Sequence, residues 1–435
     1  MPTLDQRLLD LKPAIEGWFE TQWDAHAAPI YSSVDVRNAG FKLAPVDTNL
    51  FPGGWNNLSP AMLPMAAQAL QRALAKIHPQ ARRLLIVPEN HTRNSFYWMN
   101  IARLKALAEM AGLHVRVGSA HADVLQASPI ALPEGESVQV EPLFRHRHRV
   151  ALQDFDPCVV LLNNDLSSGV PMVLNGLTQQ TLTPPLHAGW HVRRKHQHFE
   201  QYALVSARFG QALGLDPWLI DPLFSHCDGV DFDAPSGVDE LQSHVADLLG
   251  RIRVRYQAHG IDERPFVMVK ADNGTYGMGI MTVHNAAQLG QLNRKTRNKM
   301  KVVKEGQAVS EVLIQEGITS RERVGHSVAE PVVYLINGEV VGGFYRANAG
   351  RGVDENLNAP GASFTPLALT SQAQIPAHFY ANSVVARLAT LAASAELACA
   401  DSHKPSPSSP AALEDWQVHN TCTLSSATAP ACAYA

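Results

Sequence analysis

The first arrangement in this chain that could do chemistry is a lysine delivered by a short apolar run and followed at once by glycines. The run is Phe266-Val267-Met268-Val269-Lys270, and Gly274, Gly277 and Gly279 follow within Ala271-Asp272-Asn273-Gly274-Thr275-Tyr276-Gly277-Met278-Gly279. Glycines let backbone N–H groups come close to a polyphosphate, and the ammonium offers a point charge to the same oxygens. The order is neither that of a Walker loop nor that of a dinucleotide-binding turn, because the lysine precedes the glycines. Alone, the segment fits a glycine-rich hairpin with an exposed lysine equally well.

Three more segments follow in order. Ile314-Gln315-Glu316-Gly317-Ile318 reads as a strand ending in an acid, an edge suited to hydrogen bonds with adenine or ribose. Glu330 begins a hairpin that turns at Asn337-Gly338 and carries Arg346 on its return strand. Asp354-Glu355-Asn356-Leu357-Asn358-Ala359-Pro360-Gly361 then crowds carboxylates and amides before a turn. Hard oxygen donors of this kind suit Mg2+.

The elements that must position these residues read as α/β. Apolar spacing predicts a helix over residues 4–22, while residues 31–60, rich in Asn, Asp, Gly and Pro, read as loop. A strand at 84–87, a helix at 95–111 and a strand at 114–117 make a βαβ unit and imply a parallel sheet, with a further strand at 158–162. Pro184-Pro185 marks a boundary. Beyond it come helices at 197–214 and 237–257, strands at 266–270, 312–315, 331–336 and 340–345, and a helix at 377–398. The expected division is an open-sheet substrate domain over 1–185, a two-lobed domain over 186–398 and a disordered tail over 399–435.

Composition narrows the function classes. With 36 basic and 40 acidic residues, nothing calls for nucleic acid, and Arg145-His146-Arg147-His148-Arg149 reads as a solvated strand or turn. Five scattered cysteines without a Cys-x-x-Cys pair suggest reduced, interior thiols. No signal peptide and no long apolar run are legible, so the expectation is a cytoplasmic protein without a membrane partner, acting on small molecules; self-association stays open. His187, His191, His196 and His198 flank cationic residues 193–195 and read as surface or phosphate-contacting groups, not metal ligands.

The succession from Lys270 to Gly361 resembles the ATP-grasp ligases, near bacterial glutathione synthetase. Phe41-Lys42-Leu43-Ala44-Pro45-Val46-Asp47-Thr48-Asn49-Leu50-Phe51-Pro52-Gly53-Gly54-Trp55-Asn56-Asn57-Leu58 and Pro88-Glu89-Asn90-His91-Thr92-Arg93 sharpen this. They are similar to a proteobacterial family of glutamate–cysteine ligases built on ATP-grasp, over most of the chain up to residue 398.

The resemblance implies ATP and Mg2+ as cofactors and γ-glutamyl ligation, the first step of glutathione synthesis. Lys270 would hold the α- and β-phosphates, with Lys195 as the second nucleotide lysine. Gly274, Thr275, Tyr276, Gly277 and Gly279 would cover the phosphates as a lid. Gln315, Glu316 and Ile318 would edge the adenine, and Arg346 would stabilise the transferring phosphoryl group. Glu330, Asp354, Glu355, Asn356 and Asn358 form the pool of Mg2+ ligands.

The Glu-x-Asn metal motif usual near the end of an ATP-grasp fold is absent after residue 361. Either residues 354–358 supply the metal site or the carboxyl-terminal segment departs from the family. For the amino-acid substrate the candidates are Arg37, Asp47, Asn49 and Asn57, against an ordered loop pinned by Asx turns. Glu89, Asn90 and Arg93, at the carboxyl end of a parallel strand, are the others, against a helix cap. The alternatives in function are another ATP-grasp amino-acid or peptide ligase and a non-catalytic ATP-binding module.

Overall fold

A six-stranded antiparallel sheet, built from the two ends of the sequence, occupies the centre of the fold. Its strands are β1 (Tyr31–Asn38), β2 (Leu43–Asn49), β15 (Arg323–Val324), β16 (Ser327–Ile336), β17 (Glu339–Asn348) and β18 (Ala362–Pro366). They run in the order β18-β17-β16-β1-β2, with β15 beside β16. The computed structural model describes residues 3–89, 94–133, 135–273, 279–301, 308–367 and 377–402, and not the side chains of 235, 236, 401 and 402.

Successive residues of a strand face opposite sides, and β16 buries both. Val332, Tyr334 and Ile336 pack with Trp55, Leu84 and Leu161 on one side, while Val333 and Leu335 pack with Phe199, Val384 and Leu388 on the other. That two-sided burial explains why Val332–Ile336 reads as an unbroken apolar run. Asn337 and Gly338 both have positive φ, 52° and 78°, as a two-residue hairpin turn needs.

The loop expected over residues 31–60 is therefore corrected in its first part, which forms β1 and β2. One face carries the polar residues (Asp35, Arg37, Asp47, Asn49), and Pro45 interrupts the pattern, so the alternation with Val34, Val36 and Leu43 is masked in the sequence. Because β1 and β2 pair into the sheet of β16–β18, the first fifty residues cross the expected division at residue 185.

A second sheet holds β3 (Arg83–Pro88), β4 (His114–Ser119), β5 (Ser128–Ala131), β6 (Ser137–Pro142), β9 (Val159–Asn163) and β10 (Thr181–Thr183), ordered β10-β9-β3-β4-β6-β5. All its pairs are parallel except β5 with β6. Helix α3 (Leu63–Ile77), which the sequence reading passed over, packs with α4 (Ser95–Met110) between this sheet and the central one. An exposed hairpin, β7 (Phe144–His146) and β8 (Arg149–Ala151), carries the Arg145–Arg149 run as a solvated turn.

The third sheet is antiparallel: β11 (Phe224–Cys227), β12 (Val267–Ala271), β13 (Ile280–Val283) and β14 (Val312–Glu316), in the order β11-β14-β12-β13. Helix α6 (Pro235–Ala258) covers it through Leu241, Val245, Leu248 and Ile252, and α7 (Arg294–Lys301) adds Met300 to the same core.

The opening helix divides into α1 (Leu4–Asp10) and α2 (Lys12–Ala25), with Pro13 in the first turn of α2, where a missing N–H does no harm. The final helix, α8 (Ala377–Ser402), runs four residues beyond the expected limit of 398; residues 403–435 of the expected tail lie outside the described residues. Its stretch Ala377–Ala400 is long and apolar enough to cross a membrane, but 61% of its apolar 18-residue window is buried in the protein, and the helix packs against α1, α5 (Lys195–Leu213), β1 and β2. Cys158 and Cys227 are buried, as expected, whereas Cys399 is exposed.

α8 also fixes the segment entering α5. Glu396 accepts from Arg193 Nε at 2.6 Å and Nη2 at 2.9 Å and lies 3.0 Å from His198 Nδ1, while Arg193 donates to Thr48 O of β2. Removing that carboxylate strands a buried guanidinium, which is far costlier than losing a surface pair. Glu396→Ala should lower the unfolding free energy in urea by about 3–5 kcal/mol; a loss below about 1 kcal/mol, the value of an exposed pair, would show that the network does not hold α8 in place.

Candidate functional site

Between the third sheet and the central one lies a cleft. β12 brings Lys270 to it, α5 brings Lys195, β1 and β2 bring Asp35, Arg37 and Asp47, and β16 brings Glu330. Glu316, Asn356 and Asn358 complete its polar wall, and Met268, Ile280 and Ile318 its apolar one.

Lys270 is held by an irregularity in β2. Asp35 pairs with Asp47 and Val36 with Pro45, so Val46 is an extra residue in the ladder, a bulge beside a proline that could not have donated there. The Val46 carbonyl accepts from Lys270 Nζ at 2.6 Å, and Gln315 Oε1 accepts from it at 2.6 Å. Burial pushes the Lys270 ammonium down to about 8.

Lys195 opens α5. Its backbone N–H donates to Asp272 O, and the next N–H, of His196, donates to Asp272 Oδ1 at 2.9 Å, so the residue just beyond β12 caps the helix. Lys195 Nζ lies 2.7 Å from Asp47 Oδ1 and 4.5 Å from the centre of the Trp190 ring. Against the upward pull of desolvation, Lys195 and then Lys270 hold the Asp47 carboxyl down at about 2.

A buried quartet lies next to this pair. Arg346 Nη1 donates to Asp35 Oδ2 at 2.6 Å and to Glu330 Oε1 at 2.9 Å, and Arg37 Nε donates to Glu330 Oε2 at 2.8 Å. Burial would raise Glu330, but Arg37 and Arg346 outweigh it and hold this carboxyl below its usual value. Asp35 has only Arg346 against burial and is raised. Arg37 also donates to the carbonyls of Ile318, Val353 and Glu355, so its guanidinium is fully engaged with protein.

On the adenine edge the expectation changes in detail. The Gln315 side chain is buried and turned to Lys270 and to Pro45 O, not to the cleft. Glu316 is anchored by the buried Lys42 ammonium at 2.8 Å and by Leu223 N–H; its Oε1 is buried and has no hydrogen-bond partner among the described residues. At Gly317 a Cβ would sit 2.1 Å from the Phe266 ring, so only glycine lets the chain turn from Glu316 to Ile318 there.

The expected Mg2+ pool divides. Glu330, Asn356 and Asn358 line the cleft. Asp354 instead lies 3.2 Å from His284 Nε2, and Glu355 bonds to Arg351 and to Gly352 N–H, so both carboxylates are used locally and neither lines the cleft. Among the substrate candidates, Arg37 and Asp47 line the cleft and three others do not. Asn49 caps Phe51 N–H, Asn57 accepts from Asn56, and Glu89 accepts from Asp165 N–H at the carboxyl ends of β3 and β9. Asn90, Arg93, Gly274, Thr275, Tyr276 and Gly277 lie outside the described residues; Gly279, with φ 59°, leaves that loop in a left-handed turn.

Two groups escaped the sequence reading. Asp35 was hidden inside the supposed loop, although an acid two residues before Arg37 on a strand places both on one face. His196, His226 and Asp272 also gather, their ligand atoms within 4.8 Å of one another. The two imidazoles stack at 4.0 Å and 28°, so their in-plane lone pairs run side by side, and His196 Nδ1 is held by Asp272 Oδ2 at 2.6 Å. The arrangement is a helix-capping clamp.

The glutamate-cysteine ligase family model matches residues 5–397. A crystal structure from Methylobacillus flagellatus KT, assigned as a gamma-glutamylcysteine synthetase, is 51% identical, with TM-score 0.84 over 92% of this chain and 96% of that one. D-alanyl-alanine synthetase A from Vibrio cholerae O1 biovar eltor is 12% identical, with TM-score 0.32 over 67% of this chain and 76% of that one. A glutathione synthetase-like effector from Globodera pallida is 11% identical, with TM-score 0.34 over 82% and 81%. Neither of these last two likenesses is close enough to carry an argument. Comparison with curated proteins finds no match. By the family match over residues 5–397 and the close relative aligned across it, the chain belongs to the glutamate–cysteine ligases, ATP-dependent enzymes that join glutamate to cysteine.

Proposed function

We propose that the cleft binds ATP with its phosphates between Lys195 and Lys270, in an ATP-grasp arrangement whose two lobes are the third sheet and the central sheet. The observation that carries this reading is the convergence of those two ammonium groups, from separate elements, on Asp47 at the cleft surface. Lys195, Lys270 and Arg37 line the cleft with Arg346 beside them, cations that a polyanion could draw on. Glu316 Oε1, an orphaned buried acceptor, would take a donor from the ribose or base.

The reaction follows from that placement. A γ-carboxylate oxygen of glutamate attacks the γ-phosphorus of ATP, the bond to ADP breaks, and an acyl phosphate results. The amine of cysteine attacks the acyl carbon, phosphate leaves with the bonding electrons, and the amine proton goes to solvent or base. Lys195, Lys270 and Arg346 would balance the charge spread over the phosphoryl oxygens. The segment from Asn273 to Gly279 would cover the phosphates and keep water from the acyl phosphate.

The donors present fit Mg2+: carboxylates of Asp35, Asp47 and Glu330 with amides of Asn356 and Asn358, all hard oxygens. Bound there, the ion would neutralise phosphate charge and orient the γ-phosphoryl group. Asp354 and Glu355 are left out of this set. For the amino acids we favour the polar ends of β3 and β9, where Glu89, Asn163, Asn164 and Asp165 adjoin Trp190. The fully engaged Arg37 would position Glu330 and the 353–355 turn.

ADP release should require both glutamate and cysteine, with a γ-linked dipeptide as product by mass spectrometry; release indifferent to cysteine would refute the substrate assignment. Lys270→Ala should reduce kcat/KM by roughly 100-fold or more, the scale of losing one charge-stabilising donor, and near-normal turnover would sink the assignment. Because Lys270 titrates at about 8, ATP affinity should fall as pH rises through 8, where the neutral amine no longer attracts phosphate. Lys270→Arg should flatten that fall in titration calorimetry, and a flat wild-type profile would remove Lys270 from the phosphate site.

A further inference from the structure

The cation proposed above to serve ATP and a carboxylate proposed to serve a metal ion are paired with each other. Lys195 Nζ sits 2.7 Å from Asp47 Oδ1; the lysine side chain is 7% exposed, whereas that of Asp47 is 44% exposed and open to the cleft. Directly across the β1–β2 ladder from Asp47 stands Asp35, whose carboxylate is occupied by Arg346. Two carboxylates opposed on one face of an antiparallel pair repel unless a cation lies between or beside them. Lys195 and Arg346 supply that charge here.

A polyphosphate competes with Asp47 for the Lys195 ammonium. Lys195 also rests against the Trp190 ring, 4.5 Å from its centre, so Asp47 is not its only partner. Once phosphate oxygens take Lys195 and Lys270, Asp47 is left facing Asp35 with less positive charge nearby. A divalent cation then relieves the repulsion. Before that exchange, a cation entering the site would meet an ammonium 2.7 Å from the oxygen it needs.

We propose that the Lys195–Asp47 ion pair is a latch that blocks divalent-cation capture by the Asp35–Asp47 pair until nucleotide draws Lys195 away. The proposal rests on the nucleotide reading of the cleft and adds an order to it: phosphate first or together with the ion, never the ion alone. It assigns Lys195 a second task, keeping the metal site closed, besides holding phosphate. Asp35 and Asp47 act as a pair brought together by the bulged ladder, and Asn49, two residues on, is excluded because its side-chain oxygen caps Phe51 N–H.

The discriminating measurement is made without nucleotide, because a metal ion bound to ATP would give apparent coupling through the phosphates alone. Mn2+ serves as probe, and the free-ion electron paramagnetic resonance signal reports binding to the full chain. Wild-type protein should bind Mn2+ weakly. Lys195→Met, or Lys195→Gln should the first fold poorly, should bind it at least about tenfold more tightly, within the usual range of site-to-site coupling. Adding Asp47→Asn to either variant should abolish the gain.

Wild-type affinity equal to that of the lysine variants would overturn the latch. So would a gain that survives Asp47→Asn, since the ion would then sit elsewhere. Binding of a non-hydrolysable ATP analogue to wild-type protein is measured separately. Its absence would count against the nucleotide reading, while the nucleotide-free Mn2+ series would still decide whether Lys195 closes the carboxylate pair.

Discussion

Everything around the cleft answers one electrostatic demand: four cations must stay together in a partly dry space before any substrate arrives. Like charges at such separations repel strongly where water is scarce, so each is given a carboxylate or a carbonyl. Asp47 holds Lys195, Asp35 and Glu330 share Arg346, and Glu330 also holds Arg37. Lys270 is treated differently. Its nearest partners are a backbone carbonyl and an amide oxygen, which explains why burial depresses it to about 8 while Arg346, between two carboxylates, is raised. The backbone serves the same demand, because the bulge at Val46 frees the carbonyl that receives Lys270.

The segments with strong local signals were legible in the sequence. Leu84–Val87 with its parallel partner, the Asn337–Gly338 hairpin and Lys270 at the end of an apolar strand all stand where periodicity and turn chemistry place them. What the sequence hid was pairing over distance. β1 and β2 belong to a sheet whose other strands begin near residue 323, a separation no local window spans. Their polar residues face the cleft, and a strand with one polar working face and a proline reads as loop. That single misreading concealed Asp35.

The expected Mg2+ pool divides for a related reason: Glu330, Asn356 and Asn358 reach the cleft, and Asp354 and Glu355 do not. Acid and amide residues crowd together in 354–358, and crowding in sequence is easily mistaken for convergence in space. In the fold, Asp354 and Glu355 turn to His284 and Arg351, while Asp35, Asp47 and Glu330 reach one cleft from three strands. Lys195 is the opposite case. Seventy-five residues separate it from Lys270 in the sequence, yet Asp272 caps the helix that Lys195 opens and ties it to the end of β12. Cap and cation are neighbours because the helix N-terminus needs acceptors for its first N–H groups.

The overall charge of the chain is -4, yet Lys195, Lys270, Arg37 and Arg346 gather at the cleft. The two are compatible because screening confines exposed charges to about 8–10 Å, whereas partly buried ones act on whatever enters the cleft. A net negative charge spread over the exterior does nothing to repel an anion already inside the cleft, where these cations are its near neighbours. Ion pairs that merely stabilised the fold could be sealed away, as Lys42 with Glu316 is, with neither side chain exposed. Lys195 with Asp47 is left with its carboxylate open to the cleft, and that asymmetry is what separates a pair built to exchange partners from one built to stay.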